Sequence, residues 1–368
     1  MNSKKRGNRT RKHSCRHRKP NKKMTVEKFN CQRSCLVSNK VPRIPITVLK
    51  IGKVIGAGNF GQVVLSEALC PQQKLKHMEW CPPNIKSVRV ILKELLKPNN
   101  GNGNGNGNNK YQIDFVNEIN ITWELSQSKI KSNNIVRMFG VVMEHNNPIN
   151  PRYIILEECQ LGSLEGYLHN PKNTISQTLS FGLMKDITAG MMYIHEVGYV
   201  HCDLACRNVL LDKSKSKSKS KMVAKVGDFG MCRPKSLEYR EYIYRETQKI
   251  NIPIRWSSLE TFTGIFSEKS DLWAFGITIC EIYSRAQIPY SNTLNFNNKI
   301  ITSNKEVQEF VTQGGIHNRP VMCPTMIYEI LLRCWQHPDT HNPICSFVEL
   351  DKILKNIHRI KTRLPNYF

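Results

Sequence analysis

No stretch of this chain stays apolar for the roughly 18–20 residues that a membrane-crossing helix needs, so a transmembrane segment is not expected. Acidic residues are scarce as well: 29 Asp and Glu stand against 54 Lys and Arg, a formal net charge of +25 over 368 residues. The opening Met1-Asn2-Ser3-Lys4-Lys5-Arg6 has charge but no apolar stretch behind it, and no secretory leader is expected. Asn2 is incompatible with N-myristoylation, and the Pro-Asn-Tyr-Phe end has no prenylation cysteine. A regular cysteine framework is missing too. The 13 cysteines are an odd number without regular spacing, which fits reduced thiols better than a disulfide scaffold. Cys15, His17, Cys31 and Cys35 are the one cluster able to ligate zinc, but their spacing fits no structural zinc pattern and no site is expected there. These absences describe a soluble, cytoplasmic protein, with the inner face of the plasma membrane as the alternative location.

The basic charge is concentrated in two segments. Residues 1–43 hold fifteen Lys or Arg and one Glu, or +14. The alternating run from Lys213 to Lys221 adds +5, leaving +6 for the rest. Residues 1–43 therefore read as a disordered basic arm, either solvated or in contact with an acidic membrane surface or a nucleic acid.

From residue 44 the pattern changes. Short β-like runs occupy Ile46–Gly52, Gln62–Ser66 and Ser87–Leu92. An Asn/Gly tract, Asn99–Asn109, reads as a surface loop, since it has no apolar surface to bury. Asp114–Leu125 carries Phe115, Ile119 and Thr122 at helical spacing, and strand-like runs follow at Ile135–Val142 and Arg152–Glu157. After Ser163 helical patterns dominate, at Leu179–His195, Ser267–Tyr283, Asn304–Thr312 and Tyr328–Trp335. A β-rich first part and a helix-rich second part predict two lobes.

Four signals carry chemistry. Gly56-Ala-Gly58-Asn-Phe60-Gly61-Gln-Val63 resembles a dinucleotide-binding turn, but Val63 and Val64 lead into another strand where that turn needs a helix. A hairpin folded over phosphates is the better reading, with glycines admitting backbone amides and Val63 capping the base. Lys93 ends a strand and can hold phosphate oxygens; Glu118 on the following helix is the candidate anion to orient it. His201-Cys-Asp203-Leu-Ala-Cys-Arg207-Asn208 offers Asp203 to take a hydroxyl proton and Asn208 to reach a metal ion. Val226-Gly-Asp228-Phe-Gly230 follows, with Asp228 suited to chelate Mg²⁺ bridging the phosphates.

In this order the motifs resemble the protein kinase catalytic domain, from about Val48 to Ile357. The resemblance implies an α+β fold with a small β-rich N-lobe containing one main helix and a larger helical C-lobe. The kinase domain would span 44–359, with lobes at about 44–158 and 159–359 and a short tail at 360–368. It implies ATP and Mg²⁺ as cofactors. Ile55, Gly56, Ala57, Gly58, Asn59, Phe60, Gly61, Val63, Ile91, Lys93 and Leu210 would line the nucleotide site, with Leu156 as gatekeeper and Glu157 to Cys159 as hinge. Asp203, Lys93, Glu118 and Arg207 would be catalytic, and Asn208 and Asp228 would hold the metal. Leu204-Ala-Cys-Arg207-Asn208 and Pro253-Ile-Arg-Trp256 are similar to the tyrosine kinase branch, which implies transfer of the ATP γ-phosphate to tyrosines of protein substrates in intracellular signalling. Phe60-Gly-Gln-Val-Val-Leu-Ser-Glu-Ala is similar to growth-factor receptor kinases, without their ectodomain, membrane span or kinase insert. Tyr239, Tyr242 and Tyr244 fall in the activation segment, where Tyr242 or Tyr244 is the first candidate for phosphorylation.

The chain also departs from the pattern. Cys202 stands where the family has arginine before the catalytic aspartate, which predicts weak coupling of loop phosphorylation to catalysis. Asn342 replaces the arginine that pairs with the glutamate equivalent to Glu260, which predicts an unpaired charge. Ile91 narrows the adenine slot, and Thr122 replaces a bulky apolar residue beside Phe229. These departures make a catalytically weak or inactive, ATP-binding scaffold the alternative to an active enzyme.

Overall fold

The computed structural model describes residues 36–363, apart from 59–60, 71–84, 95–105, 128–131, 148, 214–221, 236–240, 244–251 and 337–341. The cysteines and histidine considered for zinc lie outside these residues, as do Asn59, Phe60, Tyr239 and Tyr244.

The first lobe is one antiparallel sheet and one long helix. Strands β1 (Leu49–Gly58), β2 (Gly61–Leu69), β3 (Ser87–Glu94), β4 (Met138–Met143) and β5 (Pro151–Glu157) are ordered β1-β2-β3-β5-β4, and helix α1 (Asn106–Gln127) lies between β3 and β4 in sequence. Strand alternation divides the sheet's residues between two faces. Val64, Leu92 and Ile155 join Leu49, Val90 and Tyr153 in one core cluster. On the opposite face, Ile154, Met138 and Val141 pack under Phe115, Val116 and Ile119 of α1. Val63, Ile91 and Leu156 are only half-buried; Ile91 lies directly opposite Leu156 in the ladder. That leaves a band of apolar surface beside the α1 contact.

The second lobe is helical. It contains α2 (Leu164–His169), α3 (Gln177–Val197), β6 (Tyr199–Val200), β7 (Val209–Lys213), β8 (Met222–Val226), β9 (Arg233–Pro234) and β10 (Glu241–Ile243). Then come α4 (Leu259–Phe262), β11 (Ile265–Ser267), α5 (Glu268–Tyr283), α6 (Asn304–Thr312), α7 (Thr325–Cys334) and α8 (Phe347–Arg363). Helix α3 starts at Ser176, whose hydroxyl accepts from Leu179 N, and stops at Gly198, whose φ of 105° suits glycine. Helix α5 is almost entirely buried and begins with a capping box of Ser267 and Ser270. Side chains such as Phe275, Ile277 and Leu272, with essentially no exposure, each contribute about 1.5–3 kcal/mol by burial. Among the described residues no helix is long and apolar enough to cross a membrane.

The two-lobed α+β expectation holds, with local corrections. The packed chain starts earlier than residue 44: Val37 and Val41 are 4% and 2% exposed, because two valines four apart give even a polar segment an apolar side. Ile46–Val48 is a 3₁₀ turn and the strand begins at Leu49. Helix α1 extends back to Asn106, into the Asn/Gly tract, since each residue added to a formed helix gains a hydrogen bond. Helix α8 runs to Arg363, past the boundary expected at 359.

Candidate active site

Strand β3 ends by placing Lys93 against the inner side of α1. Its Nζ lies 2.5 Å from Glu118 Oε1 and 3.0 Å from Asp228 Oδ1. Lys93 and Glu118 are buried, whereas the Asp228 side chain is 35% exposed. Burial alone would lower the Lys93 pKa; the Asp228 and Glu118 carboxylates outweigh it and hold the ammonium above its usual value. Burial pushes Glu118 up, with Lys93 opposing. For Asp228 burial also acts upward, but Lys93 and the Gly230 amide prevail and keep it below the usual carboxylate range. Asp228 has a φ of 57°, so this carboxylate is presented from a left-handed backbone that few non-glycine residues adopt.

The expected glycine-rich hairpin is present: β1 pairs with β2 down to Gly58 opposite Gly61, and Val63 lies opposite Lys93. Ile55 and Ala57 are exposed, and Leu210 in β7 is half-buried. Cys159 is buried, and Glu157 turns its carboxylate to Lys225 at 2.7 Å. Burial pushes the Cys159 thiol up to about 12.

Asp203, Arg207 and Asn208 lie on the loop between β6 and β7. Asn208 Nδ2 donates to Asp203 O at 2.7 Å and to Asp203 Oδ2 at 2.8 Å, while Arg207 ion-pairs with Asp203 Oδ1. The Arg207 guanidinium also lies 4.4 Å over the Trp256 ring. Burial raises the Asp203 pKa, with Arg207 and His201 opposing. His201 accepts at Nδ1 from Asp203 N, 3.2 Å away, so Nε2 carries the proton donated to Gly227 O at 3.1 Å. One imidazole thus joins the Asp203 loop to the residue before Asp228.

Two acids of α5 that sequence reading did not single out as site residues hold this loop from below. Asp271, 1% exposed, accepts from His201 N at 2.8 Å, Cys202 N at 3.0 Å and the His195 ring at 2.8 Å. Burial pushes Asp271 up, but the His195 bond and charge outweigh it and its pKa is lowered. Glu281, 3% exposed, accepts on Oε2 from Cys206 N at 3.0 Å and Trp256 Nε1 at 2.9 Å. Burial lifts Glu281 to about 7 against those two donors. The sequence signal for Glu281 was an acid isolated in an apolar helical run, whereas Asp271 follows the polar Glu268-Lys269-Ser270 and has no such signal.

The departures have physical answers. Cys202 adopts a φ of 66° and its backbone is held by Asp271. The Thr122 hydroxyl donates to Glu118 O at 2.6 Å, so its burial leaves no orphaned donor. Glu260, the charge expected to lack its partner, is exposed, as is Asn342, so burial adds no cost to it. The Lys/Ser run falls between the paired ends Lys213 and Met222 of β7 and β8, largely outside the described residues. Of the candidate phosphorylation sites, the Tyr242 backbone pairs with Phe266 in the β10–β11 ladder.

Lys93, Glu118 and Asp228 form one ion-paired cluster, and His201 links the Asp203–Asn208 loop to Gly227, the residue next to Asp228. Residues 49–354 match the family described as protein tyrosine and serine/threonine kinase. The chain belongs to that family, and its fold is a kinase domain with a small antiparallel-sheet N-lobe and a helical C-lobe. Membership supports protein kinase activity with ATP on protein substrates.

Proposed function

We propose that this kinase transfers the ATP γ-phosphate to tyrosine hydroxyls. The observation that carries this reading is Arg207, which pairs with Asp203 and stacks on Trp256. The cation is thereby held between the Asp203 carboxylate and the Trp256 ring, and the acceptor this reading assigns is a phenol, whose hydroxyl stands several ångströms farther from its backbone than that of serine. Lys93, oriented by Glu118, positions the phosphates. Asp203, its pKa raised by burial, orients the acceptor hydroxyl and takes its proton, and Arg207 steadies the transferring group. The oxygen donors suit Mg²⁺: Asp228 is an ionised carboxylate, and Asn208, donating through Nδ2, keeps Oδ1 free to accept. Bound there, Mg²⁺ would neutralise charge on the phosphates. The intact Lys93–Glu118 geometry supports an active enzyme over an ATP-binding scaffold. The charge of residues 1–43 supports contact with an acidic membrane surface or nucleic acid, a role that deletion of residues 1–35 would test through localisation.

Incubating the purified chain with Mg-ATP and a mixed Tyr/Ser/Thr protein substrate should produce phosphotyrosine, and Asp203→Asn should abolish it. Phosphoserine or phosphothreonine alone would overturn the tyrosine assignment. ATP binding with no transfer would replace it with the scaffold reading.

A further inference from the structure

Helix α1 carries Glu118, and the chain segment before β1 covers its outer side. Val37 and Val41 are buried with Val116, Ile119, Met138 and Val141. The Asn120 side chain, two residues beyond Glu118, holds this segment by both of its polar atoms. Its Oδ1 accepts from Ser38 N at 2.9 Å and its Nδ2 donates to Leu36 O at 3.2 Å. The same segment is bonded to β4 through Val141 N to Pro42 O, 2.9 Å, and Ile44 N to Val141 O, 2.8 Å. The approach is close enough that a Cβ at Gly140 would lie 2.6 Å from Pro42 O. Residues 36–43 therefore bridge the sheet edge and the helix. At the other end α1 is held to the C-lobe by Tyr199 OH donating to Glu124 at 2.7 Å and by Tyr193 OH donating to Leu125 O.

We propose that residues 36–43 are a positioning strap, gripped by Asn120, that fixes α1 against β4 and so keeps Glu118 on Lys93. This inference rests on the kinase reading for its effect on rate, but not for its effect on the helix. Lysine and glutamate meet only if α1 stays within a hydrogen-bond length of β3, and small displacements of positioned groups are felt strongly in turnover. Asn120 touches no reacting atom and acts through Glu118.

The test uses the full chain with Asn120→Ala, which removes both side-chain hydrogen bonds and leaves the valine packing, and with Val37→Asp, which lifts the strap. Both should lower kcat about tenfold or more and speed backbone deuterium uptake across α1. In a Glu118→Ala background, Asn120→Ala should lower kcat by less than about twofold, because the residue through which it acts is gone. If both variants keep wild-type turnover and α1 exchange, or if Asn120→Ala causes the same loss in both backgrounds, the strap does not position Glu118. Should Val37→Asp fail to fold, Asn120→Ala alone decides. If the wild-type chain transfers no phosphate, the proposed function fails; α1 exchange and ATP affinity, measured with wild type and Asn120→Ala, still test the strap.

Discussion

The two halves of the proposed site, a nucleotide side around Lys93 and an acceptor side around Asp203, are built differently. On the nucleotide side, three charged groups come from three separate elements: Lys93 from β3, Glu118 from α1, and Asp228 from the segment after β8. On the acceptor side, Asp203, Arg207 and Asn208 lie within six consecutive residues, and α5 anchors their loop through Asp271 and Glu281. The nucleotide side is thus an ionic meeting point that comes apart if one helix moves. The acceptor side stays assembled as long as a buried helix remains packed. The contrast places adjustability in the N-lobe and rigidity in the C-lobe.

This contrast can be broken or sharpened by substitution, with effects compared on one free-energy scale. Asp203→Asn should have the largest effect, a rate loss of about 10³–10⁴, or roughly 4–5.5 kcal/mol. ATP affinity should be nearly unchanged, as measured by phosphotransfer and nucleotide titration; a large loss of affinity would mean the two sides are not separable. Asp271→Ala strips acceptors from two buried backbone amides and His195, and should lower unfolding free energy by about 3–5 kcal/mol in denaturant titrations. A loss below about 1 kcal/mol would remove α5 as the anchor.

Glu281→Gln tests the same anchor through pH. The carboxyl is raised from 4.5 to about 7 in the fold by burial. Its stabilising contribution is therefore full below pH 4.5 and lost as pH rises through about 7. Relative to wild type, the variant should gain stability between pH 5 and pH 8, by at most about 3 kcal/mol. Unfolding curves with a pH-independent difference would refute this. Glu118→Gln should slow transfer about 10²-fold, near 2.7 kcal/mol, while leaving the Asp203 loop intact. Equal disturbance of the loop, seen in Trp256 fluorescence, would show that the two sides are coupled.

The residues proposed to react could be picked out in the sequence because phosphoryl transfer needs particular residue types at short, fixed spacings. Asp203 and Asn208 share one loop, and Asp228 precedes the glycine whose amide it accepts from. Their supports were not legible. Asp271 and Glu281 receive backbone amides from loop residues about seventy positions away, and neither composition nor periodicity records such a pairing. The strap was hidden by polarity, since its neighbours outweigh Val37 and Val41. For Glu260 the resemblance implied a charge that has lost its partner, and what it did not record is that the residue is exposed.

The exposure of Glu260 has a consequence for ionic strength. The segment it follows is secured by Ser257 Oγ donating to Pro253 O, by Ser258 paired with Thr261, and by Arg255 bonded to Pro289 O and Thr302 O. Those acceptors are uncharged, and Ser257, Ser258 and Thr261 are buried. Salt at about 1 M, which screens exposed charges beyond roughly 3 Å, finds no surface ion pair among the described residues there to dissolve. The segment from Pro253 to Thr261 is therefore built to hold its shape in brine as well as in dilute buffer.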